Sequence, residues 1–512
     1  MAETLALFPH IWHGNVGYEG YLNDRVAALP EILQDAGYFT TMSGKWHLGL
    51  TPDRFPASPG FNDSFALLSG GGNHFNNEAP IPALWPIYTR NFQFVNRSTL
   101  QNFYSSDYFT TQLIDSLRSN AETRKKPFFA YLPFTAPHWP LHAPIDLINK
   151  YQGIYDEGPD VLRAKRLETQ KKLGLVSPDI VPSSVYTNAP EWETLTATER
   201  NMSAKTMQVY AAMVEGVDHA VGRVIDYLHK TSQFENTFIL FISDNGAEGG
   251  IIGNLSILSL PFFNNSYENI GNSDSFVSYG PRWAQASTAP SRLNKGHITE
   301  GGIRCPAIVH FPKFNQSLNI SHEFTTVMDV LPTILELAGI PHPGTMFHNR
   351  TVVKPKGLSW VPHLLNPEKH IHDVHNKQDF VGWELFGEQA IRRGNYKAVL
   401  IPNQSNTAKW ELYNLTSDKG ELFDLADEQE DVLKDLMEAW SVYETEMGVV
   451  LAKDGWAVRY PSEFFDVPTA QTTTSTLGQI ENAGSMISTN SISFLSILFI
   501  WLFPFFLKSK KI

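Results

Sequence analysis

The chain has one cysteine, Cys305, in 512 residues, which excludes an intrachain disulfide and any zinc site built on cysteines. Positive charge is scarce too: 40 Lys and Arg face 53 Asp and Glu, a formal net charge of -13. With no Lys/Arg-rich stretch to concentrate what there is, the balance argues against a nucleic-acid partner. Met1 to Gly20 lacks both a basic start and an apolar stretch long enough for a signal peptide. Internal repeats are absent. Hydrophobic residues at 42% and charged residues at 18% are ordinary for a folded protein. The length exceeds one compact core and predicts a large domain with a smaller one attached.

What the chain does have is a series of polar segments set against apolar runs. They are Ser43 to Gly49, Ala136 to Pro140, Ser243 to Gly246, and Asn294-Lys295 leading into Glu300 to Arg304. Asp244 and Asn245 offer adjacent hard oxygens of the kind that bind Ca²⁺ or Mg²⁺, although Asp-Asn-Gly is also a turn sequence. Lys45 and His47 flank Trp46, so in an extended segment both fall on one face. There they could hold a tetrahedral oxyanion, or be a surface lysine and a hydrogen-bonded histidine. His138, set rigidly between Pro137 and Pro140, and less plausibly His142, could serve as a general acid; a structural histidine is the plain reading of each. Lys295 precedes Gly301-Gly302, whose glycines would permit close backbone approach to a ligand. Cations, imidazoles and a hard-oxygen pair suit an anionic ester, and no nucleophile accompanies them.

The spacing predicts a helix over Ala28 to Ala36 and another through His229, on which Tyr210, Met213, Val214, Val217, Val221, Val224, Ile225 and Leu228 recur at helical steps. Short strands are expected at Tyr38 to Met42, Phe128 to Leu132 and Thr237 to Ile242, the last apolar on both faces. Alternation of this kind implies an α/β sheet with helices on both faces and ligands beyond the carboxyl ends of its strands. Past Gly339 the texture becomes antiparallel, with strands at Ala390 to Arg392, Tyr396 to Ile401 and Trp410 to Leu415, then a helix over Asp427 to Glu446. The expected division is a catalytic domain over 1–340, an α+β subdomain over 341–465, a Ser/Thr-rich stalk over 466–491 and a hydrophobic tail over 492–512.

Ten asparagines begin N-x-S/T: Asn62, Asn96, Asn201, Asn254, Asn264, Asn315, Asn319, Asn349, Asn403 and Asn414. That excess over chance points to the secretory route. Ile492 to Leu507, followed by a lysine-rich end, spans about 24 Å as a helix, short of a hydrocarbon core of about 30 Å. It is expected to attach the protein to a membrane, as a spanning helix or as a lipid-anchor signal behind Asn482 to Ser485. The expected location is the endoplasmic reticulum or the cell surface.

Gly37 to Gly49 resembles a signature segment of the type I sulfatases. Pro127 to Pro144, Asp244 to Gly250, Tyr279 to Arg292 and Lys295 to Pro306 resemble the bacterial-type arylsulfatase branch, and the similarity continues to about Val450. The resemblance implies an alkaline-phosphatase-like α/β fold with a small C-terminal subdomain, one bound Ca²⁺ and hydrolysis of aryl or alkyl sulfate esters. It implies Asp244 and Asn245 as metal ligands, with Asp244 also taking a proton from the attacking hydroxyl. Lys45 and Lys295 would bind sulfate, His47 would orient the nucleophile, and His138 with Lys295 would protonate the leaving oxygen. Leaving-group contacts are expected from Ser69 to Pro80 and Ile251 to Tyr279.

The family's nucleophile is a formylglycine made from the Cys or Ser of C/S-x-P-S-R. Cys305, followed by Pro306-Ala307-Ile308, does not fit that pattern and reads as a structural thiol. The family's Asp-Asp metal pair is also missing before Lys45. The expectation is therefore a sulfatase begun at an internal methionine and inactive as it stands. The alternatives are a phosphodiesterase or phosphonate hydrolase of the same superfamily, or a pseudoenzyme that binds sulfate esters without turnover. Oligomeric state is left open by the sequence.

Overall fold

The computed structural model describes residues 18–75, 87–250, 263–314, 320–365, 374–402, 408–451 and 496–502. The expected stalk, and the tail apart from 496–502, lie outside the described residues. The first seven strands are β1 (Phe39–Lys45), β2 (Asp63–Leu67), β3 (Tyr88–Arg90), β4 (Gln93–Phe94), β5 (Phe128–Pro133), β6 (Thr237–Ser243) and β7 (Ala307–His310). A hairpin of β8 (Met346–Phe347) and β9 (Arg350–Thr351) follows. Then come β10 (Phe380–Leu385), β11 (Glu388–Arg393), β12 (Tyr396–Leu400) and β13 (Glu411–Asn414), and last β14 (Ser496–Leu502).

The main sheet has eight strands in the order β4-β3-β2-β1-β5-β14-β6-β7. The strands from β2 to β6 in that order run parallel, with antiparallel edges at β3-β4 and β7. Parallel strands are covered on both faces, which is why they read as continuous apolar runs. Alternate side chains of β5 and β6 divide between two cores. Phe128, Ala130, Leu132 and Ile239 join a core with the helices Ser105–Ser119 and Ala197–Lys230, through Phe109, Leu113, Met213, Val217 and Val224. Phe129, Phe238, Leu240 and Ile242 face the opposite core, with Ile32 and Leu33 of the helix Leu29–Asp35 and Ile334 and Leu335 of the helix Val330–Ala338. Helix Ala197–Lys230 starts where a capping box permits: Thr196 Oγ1 accepts from Glu199 N, and Glu199 Oε2 accepts from Thr196 N at 2.7 Å.

The smaller sheet, β10-β11-β12-β13, is antiparallel throughout. Its Ile391, Ala398 and Leu412 pack on Leu436, Ala439 and Trp440 of the helix Glu430–Met447. The segment before it packs elsewhere: Phe347, Val352 and Trp360 join the core of the larger unit.

The tail departs from the expected membrane helix. Its residues Ser496–Leu502 form β14, parallel to β5 on one side and β6 on the other, with Phe499 opposite both Tyr131 and Leu240. A short apolar run carries no period that separates strand from helix, and Ser-Ile-Leu-Phe-Ile-Trp-Leu is rich in β-formers. Between β5 and β6 such a run finds ladder partners on both edges. Among the described residues no helix is long and apolar enough to cross a membrane.

Replacing Phe499 by proline removes the N–H that this central strand contributes at that position, leaving a buried partner unsatisfied at a cost of about 1–3 kcal/mol. The thermal midpoint followed by circular dichroism should fall by several degrees. An unchanged midpoint would contradict the placement of β14 in the sheet.

Candidate active site

Parallel strands β1, β5 and β6 end on the same edge of the sheet and deliver their loops to one place. Lys45 is the last residue of β1. The backbone then leaves the extended form, and His47 sits at φ 54°, in the left-handed region. Trp46 turns the other way into the second core, its Nε1 donating to Arg54 O at 2.8 Å. Lys45 and His47 therefore share the site as expected, but through a turn rather than a continuous strand.

Both ring nitrogens of His47 are buried with no hydrogen-bond partner among the described residues. Gly70 lies directly over this ring: a Cβ there would be 2.4 Å from His47 Cε1. One at Gly71 would be 3.3 Å from His138 Nδ1. The loop Ser69–Phe75 thus lies across both histidines, in the region expected to contact the leaving group. Residues 76–86 and 251–262 of the expected loops are outside the described residues.

His138 follows β5, and its Nδ1 is 2.7 Å from Trp139 O. A carbonyl only accepts, so Nδ1 carries the hydrogen and Nε2 is the basic nitrogen of the neutral ring. His142 is committed elsewhere: its Nε2 donates to Ser275 O at 2.8 Å, and its Nδ1 accepts from His74 N at 3.3 Å. It braces loops, which removes it as a candidate acid. His74 is a further histidine that the sequence did not single out. It is fully buried, with Nδ1 2.7 Å from Ser105 Oγ and Nε2 3.1 Å from His138 O, so it supports the backbone of His138. No local pattern betrays it, because its partners come from distant segments.

Asp244 directly follows β6, and its Oδ1 is buried with no hydrogen-bond partner among the described residues. Asn245 Nδ2 donates to Gly246 O at 2.9 Å, which leaves its side-chain oxygen as an acceptor. Lys295 arrives differently from the expectation. Its segment follows no strand, lying between the helices Pro281–Thr288 and Glu300–Ile303. Lys295 N donates to Ala247 O at 2.9 Å, and its Nζ is 3.2 Å from Glu248 Oε2. Glu248 is the second residue missed. The Gly-Gly pair serves this docking: a Cβ on Gly246 would lie 1.7 Å from Gly301 O, and one on Gly302 would lie 2.0 Å from His297 O. The close approach expected of Gly301 and Gly302 is therefore backbone to backbone.

Burial dominates the electrostatics. It brings the Lys45 ammonium down to about 7, helped by Lys295 and opposed by Asp244 and Glu248. It takes His47 down to about 2, with Lys45 and Lys295 adding repulsion, and holds His138 well below its ordinary value for the same reasons. Asp244 is raised by burial against the pull of Lys45 and Lys295. The result is a desolvated pocket in which two lysines, neutral imidazoles and the carboxylates of Asp244 and Glu248 act on one another, disposed to take an anion.

Asp244 and Asn245 have the donor chemistry of a Ca²⁺ site, and the orphaned Oδ1 of Asp244 would gain a partner from a cation. They are two of the six to eight oxygens such an ion takes, and no group of three His, Cys, Asp or Glu among the described residues forms a metal cluster. Cys305 lies near Ser243 and Asp244, where burial pushes its thiol up, away from the thiolate a nucleophile requires.

The family model described as Sulfatase matches residues 1–340, and that for the C-terminal region of N-sulphoglucosamine sulphohydrolase matches 292–442. An uncharacterized sulfatase of Schizosaccharomyces pombe is 56% identical over 465 residues, 89% of this chain and 83% of that protein. An arylsulfatase of Klebsiella aerogenes is 38% identical over 352 residues, 68% of this chain and 75% of that protein. Among solved structures, Ps i-CgsB in complex with k-i-k-neocarrahexaose is 21% identical with a TM-score of 0.56, over 88% of this chain and 82% of that one. The PsFucS1 sulfatase from Pseudoalteromonas sp. is 17% identical with a TM-score of 0.51, over 88% of this chain and 79% of that one. These two share the fold.

Two outcomes follow from this geometry. Gly70→Ala should push the His47 ring aside and weaken binding of inorganic sulfate about ten-fold by calorimetry, the worth of one charge-assisted hydrogen bond, with an unchanged circular dichroism spectrum. His47, His74, His138 and His142 all have folded pKa values depressed first by burial. The unfolded chain therefore binds more protons below the ordinary histidine value of 6.5, and stability should fall as pH drops through it. The loss is up to about 1.4 kcal/mol per histidine per pH unit, measurable by urea denaturation between pH 7.5 and 5.5.

Proposed function

The chain belongs to the sulfatase family, hydrolases of sulfuric esters, and from that premise we propose that this site binds aryl or alkyl sulfate esters, on a small molecule or a glycan. The observation that carries the reading is the meeting of Lys45, from the end of β1, and Lys295, from a separate loop, at a buried Asp244 beside His47, whose ring has no hydrogen-bond partner among the described residues. Two lysines in a desolvated pocket complement the negative charge of a sulfate ester, and that attraction strengthens as water leaves. Lys45 and Lys295 contact the sulfate oxygens, and His47 stands over the place where an attacking oxygen would lie.

His138 faces the ester oxygen of the leaving group. Its Nδ1 hydrogen is held by Trp139 O, so donation has to come from Nε2 of the protonated ring. Burial and the two lysines oppose that proton in the empty site, and the incoming anion offsets them. Asp244 and Asn245 hold Ca²⁺, which when bound would add positive charge beside the sulfate.

Neither C-x-P-S-R nor S-x-P-S-R occurs in the 512 residues, so the formylglycine precursor is not among them and no step is assigned through that group. This favours a second element of the proposal: these residues bind the ester without turning it over.

We also propose the secretory route for the protein. Asn62, Asn96, Asn201, Asn264 and Asn349 are exposed and therefore open to glycosylation. Membrane attachment through the C-terminal segment would require β14 to leave the sheet, since one backbone cannot pair with β5 and β6 and lie in lipid at once.

The test is calorimetric titration with an aryl sulfate in Ca²⁺, alongside an assay for released sulfate. Binding without release, weakened about ten-fold but still measurable in Lys45→Ala and in Lys295→Ala, is the expected result. Release of sulfate would overturn the second element and keep the first. Preference for a phosphate diester, or undiminished binding in both lysine variants, would overturn the sulfate-ester reading. Thermal stabilisation by Ca²⁺ that is lost in Asp244→Asn is expected of the metal assignment.

A further inference from the structure

The loop that carries Lys295 is gripped from the smaller sheet. Lys397, on β12, is fully buried, and its ammonium makes three bonds: to Ile298 O at 2.9 Å, to Glu300 Oε1 at 3.0 Å and to Glu421 Oε1 at 2.9 Å. An ammonium has three N–H donors, so all are used. Glu421 in turn accepts from Glu300 N at 3.0 Å. Glu388, on β11, holds the same loop at two more points, with Oε1 2.7 Å from His297 Nδ1 and Oε2 accepting from Ile298 N at 3.0 Å. At the loop's start Arg292 reaches Glu411 Oε2 at 2.8 Å. Lys295 thus lies inside a segment fixed on both sides by carboxylates and an ammonium of the second sheet, while it also meets the larger unit through the bond to Ala247 O and the contact with Glu248.

We propose that Lys397 is a positioning residue for Lys295: the smaller sheet sets where that ammonium stands in the anion site, and Lys397 is the centre of the hold. A buried cation with two carboxylates and a carbonyl is geometrically specific, because each partner is costly to leave unpaired. Moving one of them moves Ile298 and Glu300, and Lys295, separated from Ile298 only by Gly296 and His297, is carried along. The proposal rests on the reading of Lys295 as a sulfate ligand.

The experiment is a double-mutant cycle read by calorimetric binding of inorganic sulfate to the full chain. Lys397→Met should weaken binding about ten-fold in the wild-type background and have no further effect in Lys295→Ala. Leu436→Ala, in the core of the smaller unit and away from the loop, should lower the thermal midpoint yet leave sulfate affinity unchanged at temperatures where it is folded. If Lys397→Met does not fold, Glu388→Gln takes its place in the same cycle and should show the same dependence on Lys295. Equal losses with and without Lys295, or a fall in thermal midpoint with unchanged affinity, would overturn the proposal. A Lys295→Ala variant that binds sulfate normally would instead overturn the reading on which it rests, so the two failures are distinct.

Discussion

The cost of taking charge out of water governs this molecule. Burial is the largest influence on Lys45, His47, His138 and Asp244 alike. A parallel sheet covered on both faces leaves little room for solvent at the edge where its loops meet. Charges placed there have to answer one another, as Asp244 answers Lys45 and Lys295, or give up their protons, as the imidazoles do. An anion that enters removes part of that cost, and the burial of these charges thereby favours its binding.

The same constraint explains how the two units are joined. Arg292, Glu300, Lys397 and Glu421 are buried together at the seam, and their mutual pairing allows a charged interface to be closed from water. An apolar seam would also hold the units together, but it would fix the loop less specifically. Here the anchoring points are individual carboxylates that bond named backbone groups, such as Glu300 N and Ile298 N.

The fold was legible wherever period and burial agree. Thr237 to Ile242 declared a doubly covered strand, the steps from Tyr210 to Leu228 a long amphipathic helix, and Tyr396 to Ile401 an antiparallel strand; both strands are present within a residue of these bounds, and the helix runs through these steps but starts well before them, at Ala197. The candidate residues Lys45, His47, His138, Asp244 and Lys295 announced themselves as polar groups against apolar runs, and the structure gathers them. What sequence could not disclose depends on distant partners. His74 is defined by Ser105 and His138, Glu248 by Lys295, and the role of Lys397 by a loop of the other unit. The apolar end of the chain shows the same limit: its residues suit a lipid environment and a sheet interior equally well, and the strands β5 and β6 that flank Ser496–Leu502 are far away in the sequence.

The position of β14 has a consequence for biosynthesis. Its neighbours β5 and β6 leave the ribosome long before it does, and during that interval each presents an open, apolar edge to the cytosol or lumen. Such edges recruit other strands readily. A nascent chain of this design depends on holding two unfinished half-sheets apart from their own kind until β14 emerges. A folding helper that shields strand edges would therefore act in the interval before β14 emerges, when the residues of the site have already left the ribosome.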